Sequence, residues 1–323
     1  MSANEPPPLP PAPPMPPLPP LLAGLSGFCM GAADAVPGVS GGTIALILGI
    51  YDRLIGSIAA LVRPPWTWRR AEAVPALAFL APLGAGLLGA LWLVTRLLVG
   101  PKEEPGLLLR AETAPYCFAF FFGLVLASLG EPWRRIRDRR VSAWMLAVLG
   151  AAGAYAFVGL PHAAGGAPST WMLVPGGALA ICVMLLPGIS GSLMLVILGL
   201  YTTVTGALHD VHVVPLLAFA SGVLLGLALF VPLLRKLLAV RHDATMAALT
   251  GLMAGSLRAL WPWKSGYDIK REALHNLPPG DGVPGVLAAA VVGALCVFGL
   301  RWIERRIEER SVPAERPDEG TTT

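Results

Sequence analysis

Charge is what this sequence has least of. Asp, Glu, Lys and Arg make up 14% of the 323 residues, where soluble domains run near a quarter. Residues 141–209, 69 positions, contain none of the four. A helix needs about 20 apolar residues to cross the hydrocarbon of a bilayer, so that gap alone has room for more than one span. A water-soluble fold is excluded, and a polytopic membrane protein is expected in a cell (inner or cytoplasmic) membrane. Cysteine is also scarce. The four present, Cys29, Cys117, Cys182 and Cys296, all lie in apolar segments, without metal-ligand spacing or a disulfide framework. The five histidines, His162, His209, His212, His242 and His275, sit in loops or at span ends. No metal, cofactor or nucleic acid is expected. A P-loop, a phosphatase-like Arg/His constellation, a Gly-x-Ser-x-Gly elbow and a zinc helix motif are all missing, which points away from an enzyme. A transporter of this kind runs downhill or is coupled to ions.

Proline is plentiful, with 11 in the 15 positions from 6 to 20. That composition forms neither helix interior nor core, so residues 1–21 are expected as a disordered extension. A ligand for a proline-binding module is the second reading. The end, 303–323, reads as a cytoplasmic tail.

Between these tails the chain repeats itself. Pro37-Gly-Val-Ser-Gly-Gly-Thr-Ile-Ala-Leu-Ile-Leu-Gly-Ile-Tyr51 and Pro187-Gly-Ile-Ser-Gly-Ser-Leu-Met-Leu-Val-Ile-Leu-Gly-Leu-Tyr201 share Pro, Gly, Ser, Gly, Ile, Leu, Gly and Tyr in register. Further matches follow in the same order: Val74-Pro-Ala-Leu-Ala-Phe79 with Val214-Pro-Leu-Leu-Ala-Phe219, and Gly123-Leu-Val-Leu-Ala-Ser-Leu129 with Gly251-Leu-Met-Ala-Gly-Ser-Leu257. Three matches in one order indicate duplication, with repeats over 22–160 and 161–302. Each half has a motif segment, 22–62 or 175–208, and three spans: 74–98, 114–130 and 141–160, then 214–234, 244–261 and 282–300.

The Pro-Gly in each motif breaks a helix, and backbone left unpaired at membrane depth needs protein or a water-filled cavity around it. Two short helices forming a re-entrant hairpin are expected. The positive-inside rule supports this: loops 63–70, 134–140 and 235–241 and the segment after 300 are basic, and they fall on one side only if segment 175–208 returns to the side it left. The mixed-charge loop 262–281 fits least well. An odd number of spans per half inverts the second repeat. The expected fold is therefore all-α and membrane-integral: two inverted repeats, each a broken hairpin plus three transmembrane helices. The first hairpin enters from the cytoplasm and the second from outside. Trp66, Trp68, Trp133, Trp171, Trp261 and Trp263 mark span ends, as interfacial anchors do.

Helix N-termini attract anions. Gly38, Gly41, Gly42, Gly188 and Gly191 admit close backbone approach, and Ser40, Thr43, Ser190 and Ser192 add hydroxyls. A phosphate cradle is one reading, and glycines that only pack helices is the other. Asp34, three residues before Pro37 and matched by Met184 in the second half, is a coupling-site candidate for a proton or sodium ion, or a packing acid held by a partner. Arg53 pairs with Asp52 or meets a phosphate. Arg96 and Lys236 end equivalent spans, where they snorkel or hand an anionic headgroup across.

The stretch Gly27-Phe-Cys-Met-Gly-Ala-Ala-Asp-Ala-Val-Pro-Gly-Val-Ser-Gly-Gly-Thr43, continuing to Tyr51, resembles the signature of the PopT-type polyprenyl-phosphate transporters. Leu186-Pro-Gly-Ile-Ser-Gly-Ser192 is similar to that family's second repeat, and the resemblance runs from about 24 to 302. It implies a flippase returning undecaprenyl phosphate from the outer to the cytoplasmic leaflet for cell-envelope synthesis, with the lipid membrane and that lipid as partners. The residues alone leave two rivals, an ion-coupled carrier of a small soluble anion and a non-transporting membrane scaffold.

Overall fold

The computed structural model describes residues 18–36, 38–62, 67, 69–98, 106–160, 168–267 and 275–311, without the side chains of 209 and 303–311. Pro37, Arg63, Trp66, Trp68, His162, residues 268–274 of the mixed-charge loop, and the stretches before 18 and after 311 lie outside the described residues. The disorder expected of the proline-rich start falls among them.

Thirteen α-helices make up the described chain. The first motif segment gives α1 (Pro20–Asp34), α2 (Gly41–Ile47) and α3 (Tyr51–Val62). Pro20 is the first residue of α1, where its missing N–H costs nothing, so the helix begins inside the stretch expected to be disordered. The spans of the first half follow as α4 (Arg70–Leu98), α5 (Ala114–Ser128) with the short α6 (Gly130–Arg134), and α7 (Val141–Val158). The second motif segment gives α8 (Leu173–Leu185), α9 (Gly191–Ile197) and α10 (Tyr201–His209). Then come α11 (Val213–Val240), α12 (His242–Ser256) and α13 (Val283–Ser311). The last helix continues into the stretch read as tail.

Five helices among the described residues are long and apolar enough to span a membrane: α4, α5 with α6, α7, α11 and α13 up to Trp302. The sixth expected span is shorter. α12 has 15 residues and is prolonged by a 3-10 turn, Leu257–Leu260. The chain is an all-helical, multi-pass membrane protein.

Each motif segment is three helices, not two. The first break is at the Pro-Gly. The second is at Leu48–Ile50 and Leu198–Leu200, where Gly49 (φ 66°) and Gly199 (φ 68°) adopt left-handed backbone that ends the helix and re-aims the chain. Between α9 and α10 the axis turns by 115°. The sequence carried this signal as the recurring Leu-Gly-Ile/Leu-Tyr, but an apolar run hides a glycine break.

Helix pairing repeats as well. α1 packs on α4 and α8 on α11, within each half, whereas α5 packs on α13 and α7 on α12, across the halves. The second span of each half thus joins the third span of the other. Small residues permit these close approaches: a Cβ on Gly27, Gly222, Gly293 or Gly251 would run into a partner-helix carbonyl, respectively that of Leu83, Val174, Phe120 or Ala147.

Three of the basic segments come together through ion pairs and hydrogen bonds. Arg135 pairs with Asp52 at the start of α3 (3.2 Å), and Arg301 of α13 pairs with Glu131 of α6 (3.0 Å). Asp243, in the first turn of α12, accepts the N–H groups of Arg137 (3.2 Å) and Asp138 (2.9 Å). Loop 134–140 therefore meets the beginning of α12, and α6 just before it meets α13.

Candidate functional site

The two Pro-Gly breaks meet inside the bundle. Gly38 (φ 92°) and Gly188 (φ 97°) occupy the same left-handed conformation at equivalent positions, which L side chains adopt only with strain. Gly38 abuts Ala259 and Leu260 beyond the end of α12, and Gly188 abuts the backbone of Met253 within it.

Past each break the backbone is alike and the hydrogen bonding is not. Ser40 is extended (φ −123°, ψ 133°) and caps α2 by accepting the Gly42 N–H at 3.2 Å. The Thr43 N–H goes to the Ser40 carbonyl (2.9 Å), and the Gly41 N–H to Asp34 Oδ1 (2.6 Å). The N-terminal donors of α2 are thus occupied by the hairpin's own groups, and Asp34 sits where an anion would. Its other oxygen, Oδ2, is buried without a hydrogen-bond partner among the described residues.

The second break differs. Ser190, equally extended (φ −87°, ψ 132°), does not cap α9; its hydroxyl lies 2.7 Å from that of Ser192. Among the described residues no hydrogen bond takes up the N–H of Gly191 or Ser192. Ser192 stands where the first half has Gly42 and Leu193 where it has Thr43, so each break carries two hydroxyls, at different positions.

Side chains of the first hairpin also hold the second break open. The buried Tyr51 hydroxyl donates to the Leu185 carbonyl (3.0 Å), Ser40 Oγ lies 3.3 Å from the Leu186 carbonyl, and the Gly188 N–H donates to Thr43 Oγ1 (3.0 Å). These groups satisfy backbone that the end of α8 would otherwise leave unpaired. The Thr43 bond has no equivalent in the second half, where Leu193 replaces Thr43.

Comparison with known proteins fits this geometry to a family. The family model described as undecaprenyl phosphate translocase-like matches residues 30–276, from within α1 past α12, both breaks included. The chain belongs to this family. A protein named polyprenyl-phosphate transporter from Vibrio cholerae is 38% identical over 248 residues, 74% of this chain and 77% of that protein. Another of that name from Staphylococcus aureus is 34% identical over 257 residues, 74% of this chain and 85% of the relative. No solved structure matches.

Of the other expected site residues, the guanidinium of Arg53 lies over the Phe79 ring of α4, 5.7 Å from its centroid. Arg96 is exposed and stacks on Trp92 (4.4 Å), one turn away on its own helix. Lys236 is exposed on α11. Sequence reading missed the clasp, because hydroxyls in a motif do not reveal whether they face a ligand or a neighbouring backbone. It also missed Lys264, buried to 9% exposure in the loop after α12, which had counted only as one charge in a mixed loop.

Proposed function

We propose that this chain returns polyprenyl phosphate from the outer to the cytoplasmic leaflet, taking the phosphate at the second break and coupling its passage to a cation through Asp34. The family and the two named relatives support a polyprenyl-phosphate transporter, not an enzyme, in the bacterial cytoplasmic membrane.

The observation that carries the binding site is the difference between the breaks. The substrate head carries about −1.5 to −2 charges at neutral pH, and helix N-termini bind such groups through free N–H donors. In the first hairpin those donors are occupied by Asp34 and Ser40. In the second, the N–H groups of Gly191 and Ser192 and the hydroxyls of Ser190 and Ser192 stand together. Gly38, Gly41, Gly42 and Thr43 then shape the wall opposite.

Inverted repeats fit the same reading. Gly38 touches the turn beyond the end of α12, while Asp52 pairs with Arg135 in the loop that meets the beginning of α12. The first hairpin thus reaches along the depth of the bundle from the basic end. Asp34 suits a coupling role because one carboxylate oxygen is buried without a partner, a costly state that a bound proton or sodium ion relieves.

The test is leaflet-resolved. Liposomes carrying the protein and labelled undecaprenyl phosphate are followed for headgroup exposure on each face. Wild type speeds translocation, Ser190→Ala with Ser192→Ala slows it about tenfold or more, as expected for losing charge-assisted hydrogen bonds, and Asp34→Asn no longer responds to proton or sodium gradients. Translocation unchanged in the serine double variant removes the second break as the site. A wild type that moves only inorganic phosphate makes the chain a soluble-anion carrier instead.

A further inference from the structure

Burial of a cation is costly unless an anion meets it, and one lysine is buried without one among the described residues. Lys264 is 9% exposed. Its ammonium faces the Phe118 ring of α5 (5.1 Å to the centroid) and the amide oxygen of Asn276 (3.3 Å). Among the described residues no carboxylate pairs with it. Its charged neighbour is a second cation, Arg258, which lies over the Tyr155 ring (4.4 Å) and donates to the Tyr155 carbonyl.

Hydrogen bonds tie the described parts of the surrounding segment together. The Leu277 N–H donates to the Trp263 carbonyl (2.8 Å), the Ser265 N–H to that of His275 (2.9 Å), and Trp261 Nε1 to that of Leu277 (2.8 Å). Asn276 bridges the two residues, since its amide nitrogen donates to the Arg258 main-chain carbonyl (3.0 Å) while its oxygen meets the Lys264 ammonium. This cap starts at the turn against which Gly38 rests, so it adjoins the tip of the first hairpin at the end of the bundle opposite the basic loops.

We propose that Lys264 and Arg258 form an oxyanion subsite that takes the phosphate headgroup of the lipid substrate before it reaches the breaks. Resting on the transport reading above, it adds a stage of entry. Asn276 is exposed and offers Lys264 only a neutral oxygen, which a phosphate replaces with a charged one. Burial, and then the nearby Arg258, push the lysine down to about 8, in keeping with an ammonium that meets no carboxylate among the described residues.

The experiment pairs transport with binding. Lys264→Met, Lys264→Arg and Arg258→Gln are compared with wild type for apparent KM in the liposome assay. Thermal stabilisation in detergent is measured with a short-chain polyprenyl phosphate, the matching alcohol, or inorganic phosphate alone. In Lys264→Met the apparent KM rises about tenfold, the scale of one charged hydrogen bond, and stabilisation by the lipid phosphate weakens to match. Lys264→Arg retains most of both. Ligand-free stability of Lys264→Met holds or rises, because an apolar side chain replaces an unpaired buried cation; a purely structural lysine moves KM only alongside stability. Unchanged KM and unchanged phosphate stabilisation in Lys264→Met overturn the proposal. If wild type moves no lipid, the transport reading fails, and the binding arm still decides this one. A Lys264-dependent response to inorganic phosphate as strong as that to the lipid assigns the subsite to free phosphate and overturns the lipid headgroup as its ligand.

Discussion

Replacing Tyr51 by Phe removes one oxygen from a fully buried ring and changes nothing else in shape. That hydroxyl donates to the Leu185 carbonyl at 3.0 Å, at the last residue of α8. Tyr51 is 0% exposed, so water does not take over. An acceptor orphaned in this way costs about 1–3 kcal/mol, but hydrogen bonds between membrane helices average nearer 0.6 kcal/mol and reach about 1.7. The second figure governs here, because the unfolded reference is also in the membrane and a carbonyl tolerates loss better than an N–H; Tyr51→Phe should cost about 1 kcal/mol. Thr43→Val is the isosteric test of the other bond. It strands the Gly188 N–H, whose acceptor is Thr43 Oγ1, and should cost somewhat more, about 1.5 kcal/mol. Both bonds hold the same short break, so the double variant should cost less than the sum by about 0.5 kcal/mol or more. Ser221→Ala, an exposed hydroxyl bonded within its own turn, sets the baseline at about ±0.5 kcal/mol. Unfolding in mixed micelles measures all four. Losses for Tyr51→Phe and Thr43→Val no larger than the Ser221→Ala baseline, or strict additivity, would refute the clasp.

Two further outcomes follow from the same geometry. Gly188→Ala and Gly38→Ala each place a Cβ on left-handed backbone at a cost of about 1–2 kcal/mol, and Gly188→Ala should be the worse in thermal unfolding because its Cβ meets the main chain of Met253, whereas at Gly38 the first obstacle is the Ala259 methyl. Lys264 faces Arg258, Asn276, Phe118 and Tyr267 and titrates at about 8 in the fold against an ordinary 10.5; the unfolded chain therefore binds more protons between those values, stability rises with pH through that window by up to about 3 kcal/mol, and Lys264→Met flattens the rise in pH-dependent melting.

Much of this was readable in the sequence because the signals are local or compositional. A charge-free run over 141–209 declares a membrane protein without any tertiary information, and Pro-Gly twice in register declares two breaks. The backbone at Gly38 and Gly188 agrees to within 5° in φ, as identical motifs under identical constraints should. The second breaks at Gly49 and Gly199 were present as a repeated glycine, yet no proline marks them. What stayed out of reach depended on distant chain segments. Asp52 meets Arg135 83 positions away, Thr43 meets Gly188 145 positions away, and the burial of Lys264 against Phe118 can be recognised only once its neighbours are known.

The few positions where the motifs disagree decide how the duplicated segments divide their work. Asp34 faces Met184 in the alignment, Gly42 faces Ser192 and Thr43 faces Leu193. Asp34 supplies an internal anion to α2, and Thr43 lends the second break an acceptor it cannot supply itself. Gly42 offers no hydroxyl where Ser192 does. Two of the differences give the first hairpin groups that satisfy itself and its partner, and the third gives the second hairpin a hydroxyl beside N–H donors that no group among the described residues takes up. A pair of equal cradles would hold a phosphate symmetrically between them and favour neither face. On the proposed transport reading, an unequal pair gives the headgroup one preferred seat and leaves the ionisable group on the other hairpin.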